Sequence, residues 1–319
     1  MKKIGILTSG GDCSGMNAAI RAAVRTALRL EVGVVGFRKG YVGLMKCDAF
    51  TLDSRAVSGI MHRGGTFLQS ARCKEFCTPE GQRTAMSNLR RLGVEGLVVL
   101  GGDGSLAGAL ALHRLGFPVI GIPASIDNDI PFTDMSLGVD TALNNIIYAV
   151  DCIKDTASSH ARAFVIEVMG RNSGYLASVS GIATGAECVI VPETECDLVQ
   201  LCIQLRHRYQ EGRDNAIIIV AEGAGEARTI ADTIKDAIGF ETRVTVLGHY
   251  QRGGAPSVFD RLLASRFGKR AVELLLEGMS GVMVGLSCHN LIATPIEEVV
   301  KTEKRPQEDM LQLAEMLGI

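Results

Sequence analysis

Short runs of Val, Ile and Leu recur along this chain, and each ends in glycine or charge before a helical stretch begins. "KIGILTS" precedes a glycine loop and "MNAAIRAAVRTALRL", "EGLVVLGGDGS" precedes "LAGALALHRLG", and "FPVIGIPASIDND" leads towards "GVDTALNNIIYAVDCIKDTAS". The rhythm continues with "RAFVIEVMGRNSG" before "YLASVSGIATG" and "NAIIIVAEGAG" before "EARTIADTIKDAIG". Strands that are apolar on both faces need cover on both faces, so the pattern predicts an α/β fold with mainly parallel sheets between helices. In such sheets ligands gather outside the carboxyl ends of the strands. The unusual residues fall there: Gly10, Gly11 and Asp12, residues 101–105 and 125–129, the Met169-Gly170-Arg171 turn and Glu222.

A chain of 319 residues holds two ordinary domains or one large one. The sheet rhythm restarts near Ala163, which places a change of domain around residues 138–162. The helical segment "APSVFDRLLASRFGKRAVELLLEG" is expected to return to the first domain. A formal charge of −2, with arginines scattered singly and no Trp, gives no field or stacking surface for nucleic acid. No apolar run reaches membrane-spanning length, and no signal peptide is expected, so the predicted location is cytoplasmic. Nine cysteines form no CxxC pair and are expected to be free thiols in a reducing compartment.

Three loops carry the chemistry. "TSGGDCSGMN" is a strand, a glycine loop and a helix start, which suits either a phosphate on backbone amides or a tight turn. "VVLGGDGSLAGA" places Asp103 between glycines at a strand end. A carboxylate beside a polyphosphate needs a cation between them, and Mg²⁺ takes one or two carboxylates plus phosphate oxygens. The other reading is an Asp that caps the helix beginning near Ser105. "PASIDND" puts Asp127 and Asp129 in one short loop, where an Asx-rich turn is the alternative to an acid pair. GGDG also occurs in kinases of nicotinamide nucleotides and lipids, so it points to phosphoryl transfer without naming the acceptor.

Residues 243–261, "RVTVLGHYQRGGAPSVFDR", resemble the signature of 6-phosphofructokinases, and the closest resemblance is to the bacterial ATP-using branch. "LTSGGDCSGMNAAIR", "RGGTFLQSAR", "GGDGS", "IDNDI", "SSHARAFVIEVMGRNSG" and "AEG" extend the likeness over essentially the whole chain. The resemblance implies two Rossmann-like three-layer domains with the active site in the cleft between them. Residues 1–138 with 251–301 would bind ATP, and residues 139–250 with 302–319 would bind fructose 6-phosphate. It implies transfer of the γ-phosphoryl group of ATP to the 1-hydroxyl of the sugar, with Mg²⁺ as cofactor.

In the family's pattern Asp127 is the base, and Ser125 stands where Thr is usual. Asp103 and Asp129 are the metal positions, and Arg72 and Arg171 meet the transferring phosphoryl group and ATP. Gly11, Tyr41, Arg72, Cys73, Gly102, Asp103, Gly104 and Ser105 are ATP positions, with Cys73 replacing a residue that is often aromatic. Ser125, Ile126, Asp127, Met169, Gly170, Arg171, Glu222, His249, Tyr250, Gln251 and Arg252 are sugar-phosphate positions. Arg162 and Arg243 match residues that reach a neighbouring subunit's 6-phosphate, which implies a homotetramer with shared active sites.

Arg21, Arg25, Lys154, Gly185, Glu187 and Arg213 fit the family's effector site for ADP or phosphoenolpyruvate. Other positions depart from it: Ser54 for an Arg, Gly59 for Asp, Glu211 for a basic residue, Asp214 and Asn215 for Lys and His. Acids where phosphate should bind predict weakened allosteric control. Three rival readings remain at this level. A pyrophosphate-using enzyme would carry Asp at 104 and Lys at 124, where this chain has Gly104 and Ala124. The others are a different GGDG kinase and a catalytically silent nucleotide-binding paralogue.

Overall fold

The structure is a computed structural model and describes residues 1–160, 162–213, 215–238, 241–304 and 308–318. The chain divides into two compact units, Met1–Thr141 with Arg252–Lys304, and Ala142–Gln251 with Arg305–Ile319.

The first unit runs β1 (Lys3–Thr8), α1 (Met16–Arg29), β2 (Gly33–Phe37), α2 (Tyr41–Lys46), β3 (Ala49–Thr51), α3 (Pro79–Arg91), β4 (Gly96–Gly101), α4 (Asp103–Arg114) and β5 (Val119–Pro123). The unit boundary falls in the first turn of α5 (Val139–His160). The second unit continues with β6 (Ala163–Val168), α6 (Tyr175–Thr184), β7 (Cys188–Ile190), α7 (Leu198–Gln210), β8 (Ala216–Ala221), α8 (Ala227–Ile238) and β9 (Thr242–Val246). The chain then rejoins the first unit as α9 (Val258–Leu276), β10 (Val282–Ser287), β11 (Asn290–Pro295) and α10 (Ile296–Lys301), and α11 (Glu308–Leu317) belongs to the second.

The first sheet has the order β11-β10-β5-β4-β1-β2-β3. It is parallel except for its two edges, where β3 and β11 pair antiparallel. From β1 the chain moves outward through β2 on one side and through β4 and β5 on the other. The order therefore reverses between β1 and β4, which opens a crevice at their carboxyl ends. Leu7, Phe37, Leu97, Val99 and Val119 pack on Ala85, Leu89, Leu106 and Leu110 of α3 and α4. Strand alternation sends Ile4, Ile6, Val98 and Ile120 to the other face, where α1 and α9 lie against each other. That helix pair approaches closely because α9 has Gly268: a Cβ there would come to 2.3 Å from the Ala19 carbonyl oxygen of α1.

The second sheet, β7-β8-β6-β9, is wholly parallel. Val165, Ile218 and Val220 bury against Leu201 and Leu205 of α7 and Ala231 and Ile234 of α8. Its central strands β6 and β8 end at Val168 and Ala221, directly before the Met169-Gly170-Arg171 turn and Glu222.

Candidate active site

The glycine loop after β1 and the loop after β4 meet at the switch point, where the Ser9 N–H donates to the Leu100 carbonyl at 2.9 Å. Gly10 has φ +82° and Gly15, at the N-cap of α1, has φ +107°, conformations that exclude most side chains. Gly11 and Asp12 are exposed, and Arg252 donates from Nη1 to the Asp12 carbonyl at 3.1 Å. A Cβ at Gly11 would lie 2.4 Å from that same nitrogen.

Gly102 caps α4, leaving Asp103 and Gly104 exposed in the first turn and Ser105 buried beneath them. A Cβ at Gly104 would meet no atom within 4 Å, so the space in front of this turn is open. Tyr41 supports the turn from behind. It is only 4 % exposed, its ring stacks on Phe76 with centroids 4.0 Å apart, and its hydroxyl donates to the Ser105 carbonyl at 2.7 Å. Burial pushes the Tyr41 phenol well up, so it stays protonated. Tyr41, expected as a nucleotide contact, is thus placed behind the turn and holds its backbone in shape. Cys73 is likewise turned inward, its thiol 3.6 Å from the Met45 sulfur and packed against the core, whereas neighbouring Arg72 is exposed.

The acid loop leaves β5 beside this turn. The Ala124 N–H donates to the Gly101 carbonyl at 3.0 Å, and a Cβ at Gly102 would lie 3.9 Å from the Ser125 Cβ. The two acids have different surroundings: Asp127 is 1 % exposed, while Asp129 is half-buried and accepts from the Ser125 hydroxyl at 2.9 Å. Ile126, expected at the sugar phosphate, is buried.

Between the acids, Asn128 takes φ +51°. Its side chain donates to the Asp134 carbonyl at 3.1 Å and accepts from the Ser136 N–H at 3.2 Å. The Ser136 hydroxyl donates to the Ser125 carbonyl at 2.6 Å. Lys304 completes the frame by donating to the Thr133 carbonyl at 2.9 Å. Burial lowers the Lys304 ammonium to about 8, against the opposing pull of Asp129 and Asp134. Neither Asn128 nor Lys304 stands out in the sequence, because an Asn in a turn and a Lys after a helix are commonplace.

In the second unit, Glu222 organises the turn after β6. Its Oε1 accepts the N–H groups of Arg171 at 2.8 Å and Gly170 at 3.3 Å, with Gly170 at φ +145° and Arg171 at φ +51°. The buried Gln251 side chain accepts from the Met169 N–H at 3.1 Å and donates to the Gly248 carbonyl at 3.1 Å. Glu222 and Gln251, expected at the substrate, thus shape the backbone that carries Arg171. Arg171, His249 and Tyr250 are exposed.

The parallel register pairs Ala163 with Thr242 and sets Arg162 and Arg243 at neighbouring strand starts. One carboxylate holds both: Arg162 Nε donates to Glu241 Oε2 at 2.6 Å, and Arg243 pairs with Glu241 Oε1. Glu241 escaped the sequence reading, although an acid two residues before an arginine at a strand start was a usable signal.

Of the effector positions, the structure brings Lys154 to Gly185, where its ammonium donates to the Thr184 carbonyl at the end of α6. Glu187 is occupied by the Ile217 N–H at 2.7 Å. Arg213 is exposed beyond α7, and Glu211 pairs with His207 at 3.4 Å. Arg21 and Arg25 lie on α1 of the first unit, and Asp214 lies outside the described residues.

Among the described residues no three His, Cys, Asp or Glu side chains form a metal cage. The donor set near the open turn is the carboxylates of Asp103 and Asp129. That set fits Mg²⁺, which binds through one or two carboxylates plus substrate phosphate oxygens.

Glycine-rich loops, backbone amides and carboxylates at the switch point of a parallel sheet define an α/β protein suited to phosphorylated ligands. A family model described as Phosphofructokinase matches residues 3–275, and the chain belongs to the phosphofructokinase family. It is 52% identical to the ATP-dependent 6-phosphofructokinase of Halalkalibacterium halodurans and 50% identical to that of Bacillus subtilis, each over 319 residues and all of both chains. Among solved structures it resembles the phosphofructokinase of Saccharomyces cerevisiae with a TM-score of 0.90 and 38% identity. The match covers 94% of this chain and 45% of the yeast chain. A pyrophosphate-dependent phosphofructokinase from Marinobacter aquaeolei shares the fold, with a TM-score of 0.87 at 22% identity over 99% of this chain and 91% of that one.

Proposed function

We propose that this protein is an ATP-dependent 6-phosphofructokinase, converting fructose 6-phosphate and ATP to fructose 1,6-bisphosphate and ADP in glycolysis. The observation that carries the reading is the pair of abutting loops after β4 and β5, with Asp103 exposed on one and the Ser125–Asp129 hydrogen bond on the other. Full-length identity of about half to relatives of that name supports it.

In this mechanism the 1-hydroxyl oxygen attacks the γ-phosphorus, the bond to the β–γ bridging oxygen breaks, and ADP leaves. Asp127 accepts the hydroxyl proton as the new O–P bond forms. Asp103 and Asp129 are the residues that would hold Mg²⁺, which would supply positive charge against the phosphate oxygens. Arg72 and Arg171 offer guanidinium forks to the phosphoryl oxygens. Amides around Gly11 and Gly102 to Ser105 line the nucleotide side, while Met169, Gly170, Glu222, His249 and Arg252 serve the sugar phosphate.

The open space at Gly104 favours ATP over pyrophosphate, since it leaves room for the α-phosphate and adenosine. The chain is inferred to act in the cytoplasm as a homotetramer, with Arg162 and Arg243 reaching the 6-phosphate in a neighbouring subunit's site. No helix among the described residues is long and apolar enough to cross a membrane. Purified protein assayed with fructose 6-phosphate and either phosphoryl donor tests the reading. ATP should support turnover and pyrophosphate should not, and the opposite preference would overturn it.

A further inference from the structure

The signature segment of residues 243–261 ends in Asp260-Arg261, and the proposed reaction uses neither residue. Asp260 is 0 % exposed and lies in the first turn of α9, yet its carboxylate serves the first turn of α5. Its Oδ1 accepts the Gly138 N–H at 2.9 Å, and its Oδ2 accepts the Thr141 N–H at 2.8 Å and the Thr141 hydroxyl at 2.5 Å. No capping side chain fits at position 138 itself: Gly138 has φ +95°, and a Cβ there would lie 2.5 Å from the Cys13 Cβ. The acceptor therefore comes from 119 to 122 residues away, and the dipole of α5 favours its negative charge. The two helix starts hold each other. Ser257, the N-cap of α9, donates its N–H to the Thr141 hydroxyl oxygen at 3.0 Å and its own hydroxyl to Asp140, while accepting the Asp260 N–H at 3.1 Å.

The segment pinned in this way is the far support of the acid loop. The Leu137 N–H donates to the Pro123 carbonyl at 3.1 Å, and Leu137 bridges to Ala124 where the loop begins. Next to it, the Ser136 hydroxyl holds the Ser125 carbonyl at 2.6 Å. The Cys13 thiol of the glycine loop donates to the Leu137 carbonyl at 3.1 Å, so that loop leans on the same segment.

We propose that Asp260 is a positioning residue for phosphoryl transfer: its carboxylate fixes residues 136–141, and through them the loop that carries Asp127. This rests on the function proposed above. Asp260 has no exposed surface and acts through this backbone. The turn at Ser105 has a separate support in the Tyr41 hydroxyl, so nucleotide saturation should be spared.

The test compares Asp260→Asn, Thr141→Val and Thr141→Ser in the full chain. Asn keeps the size of Asp but turns one acceptor oxygen into a donor that faces another donor. Val removes the hydroxyl that joins Asp260 to Ser257, and Ser keeps it. Asp260→Asn and Thr141→Val should lower kcat at saturating substrates by about tenfold or more, because slight misplacement of a reacting group costs up to about 10²-fold. Half-saturating ATP should stay within about twofold in both, and Thr141→Ser should stay within about twofold of the wild type throughout. Hydrogen exchange, followed peptide by peptide, should quicken across residues 124–141 in the two weakened variants and not across β8. Uniform quickening along the chain would make Asp260 a merely structural buried acid and overturn the proposal. A wild-type kcat in folded Asp260→Asn overturns it too, as does equal kcat in Thr141→Val and Thr141→Ser. Should Asp260→Asn fail to fold, the Thr141 pair decides on the same terms. A wild type that does not phosphorylate fructose 6-phosphate overturns the kinase reading, while the exchange comparison still decides whether Asp260 holds the loop.

Discussion

At the scale of single residues, the acid loop divides its work between two carboxylates by environment. Asp127 sits within the loop, and Asp129 keeps one side towards solvent and accepts from Ser125. Asp127→Asn should keep the fold and ligand binding while lowering kcat at saturating substrates by at least ~10²-fold, since general-base catalysis is typically worth about 10²–10⁴. A variant that retains most of its kcat would remove Asp127 from the base role. Arg162→Ala and Arg243→Ala should each raise the half-saturating fructose 6-phosphate and leave ATP saturation nearly unchanged, because a lost charged fork costs roughly 1.5–3 kcal/mol. Titrations of both substrates on each variant check this, and a change confined to ATP would contradict the assignment.

Lys304 gives a pH signature. Its folded value of about 8 lies below its ordinary 10.5, so between these values the unfolded chain binds more protons than the folded one. Its contribution to stability therefore rises as pH climbs through that window. Urea midpoints of the wild type, compared with Lys304→Met from about pH 7 to about pH 10, should show a rise that the variant lacks.

At the scale of elements, β1, β4, β5, β6 and β8 were legible because each is a short β-branched run ending in glycine or charge. The loops were legible for the same reason: they are the polar ends of those runs. The frames behind the loops were not. Tyr41, Asn128, Lys304, Glu222 and Gln251 act by holding backbone through contacts 6 to 171 residues away in sequence, and no local pattern records such partners. Cys73 and Tyr41 read as ligand positions in sequence, yet packing turns both inward.

Gly268 makes the α1–α9 contact testable. Ala is normally better than Gly in a helix by about 1 kcal/mol, but here the added Cβ would press on the backbone of Ala19. Overpacking of that kind costs about 1–3 kcal/mol, so Gly268→Ala should lower stability on urea unfolding. An increase in stability would show that the helices can part without cost.

At the scale of the whole molecule, regulation and catalysis are expected to separate. Lys154 is engaged with the end of α6, Glu187 with the β8 backbone, and Glu211 places negative charge near Arg213. ADP and phosphoenolpyruvate should then shift the sugar saturation curve only weakly, while Glu211→Arg should strengthen their effect. Several-fold shifts in the unaltered protein would contradict this. Phosphoryl transfer itself can be followed with a label. The protein is incubated with fructose 6-phosphate and ATP labelled at the γ-phosphorus, and the products are separated. Label is expected on the 1-oxygen of fructose 1,6-bisphosphate with unlabelled ADP, whereas label found only in inorganic phosphate, or on another acceptor, would rule out transfer to the sugar.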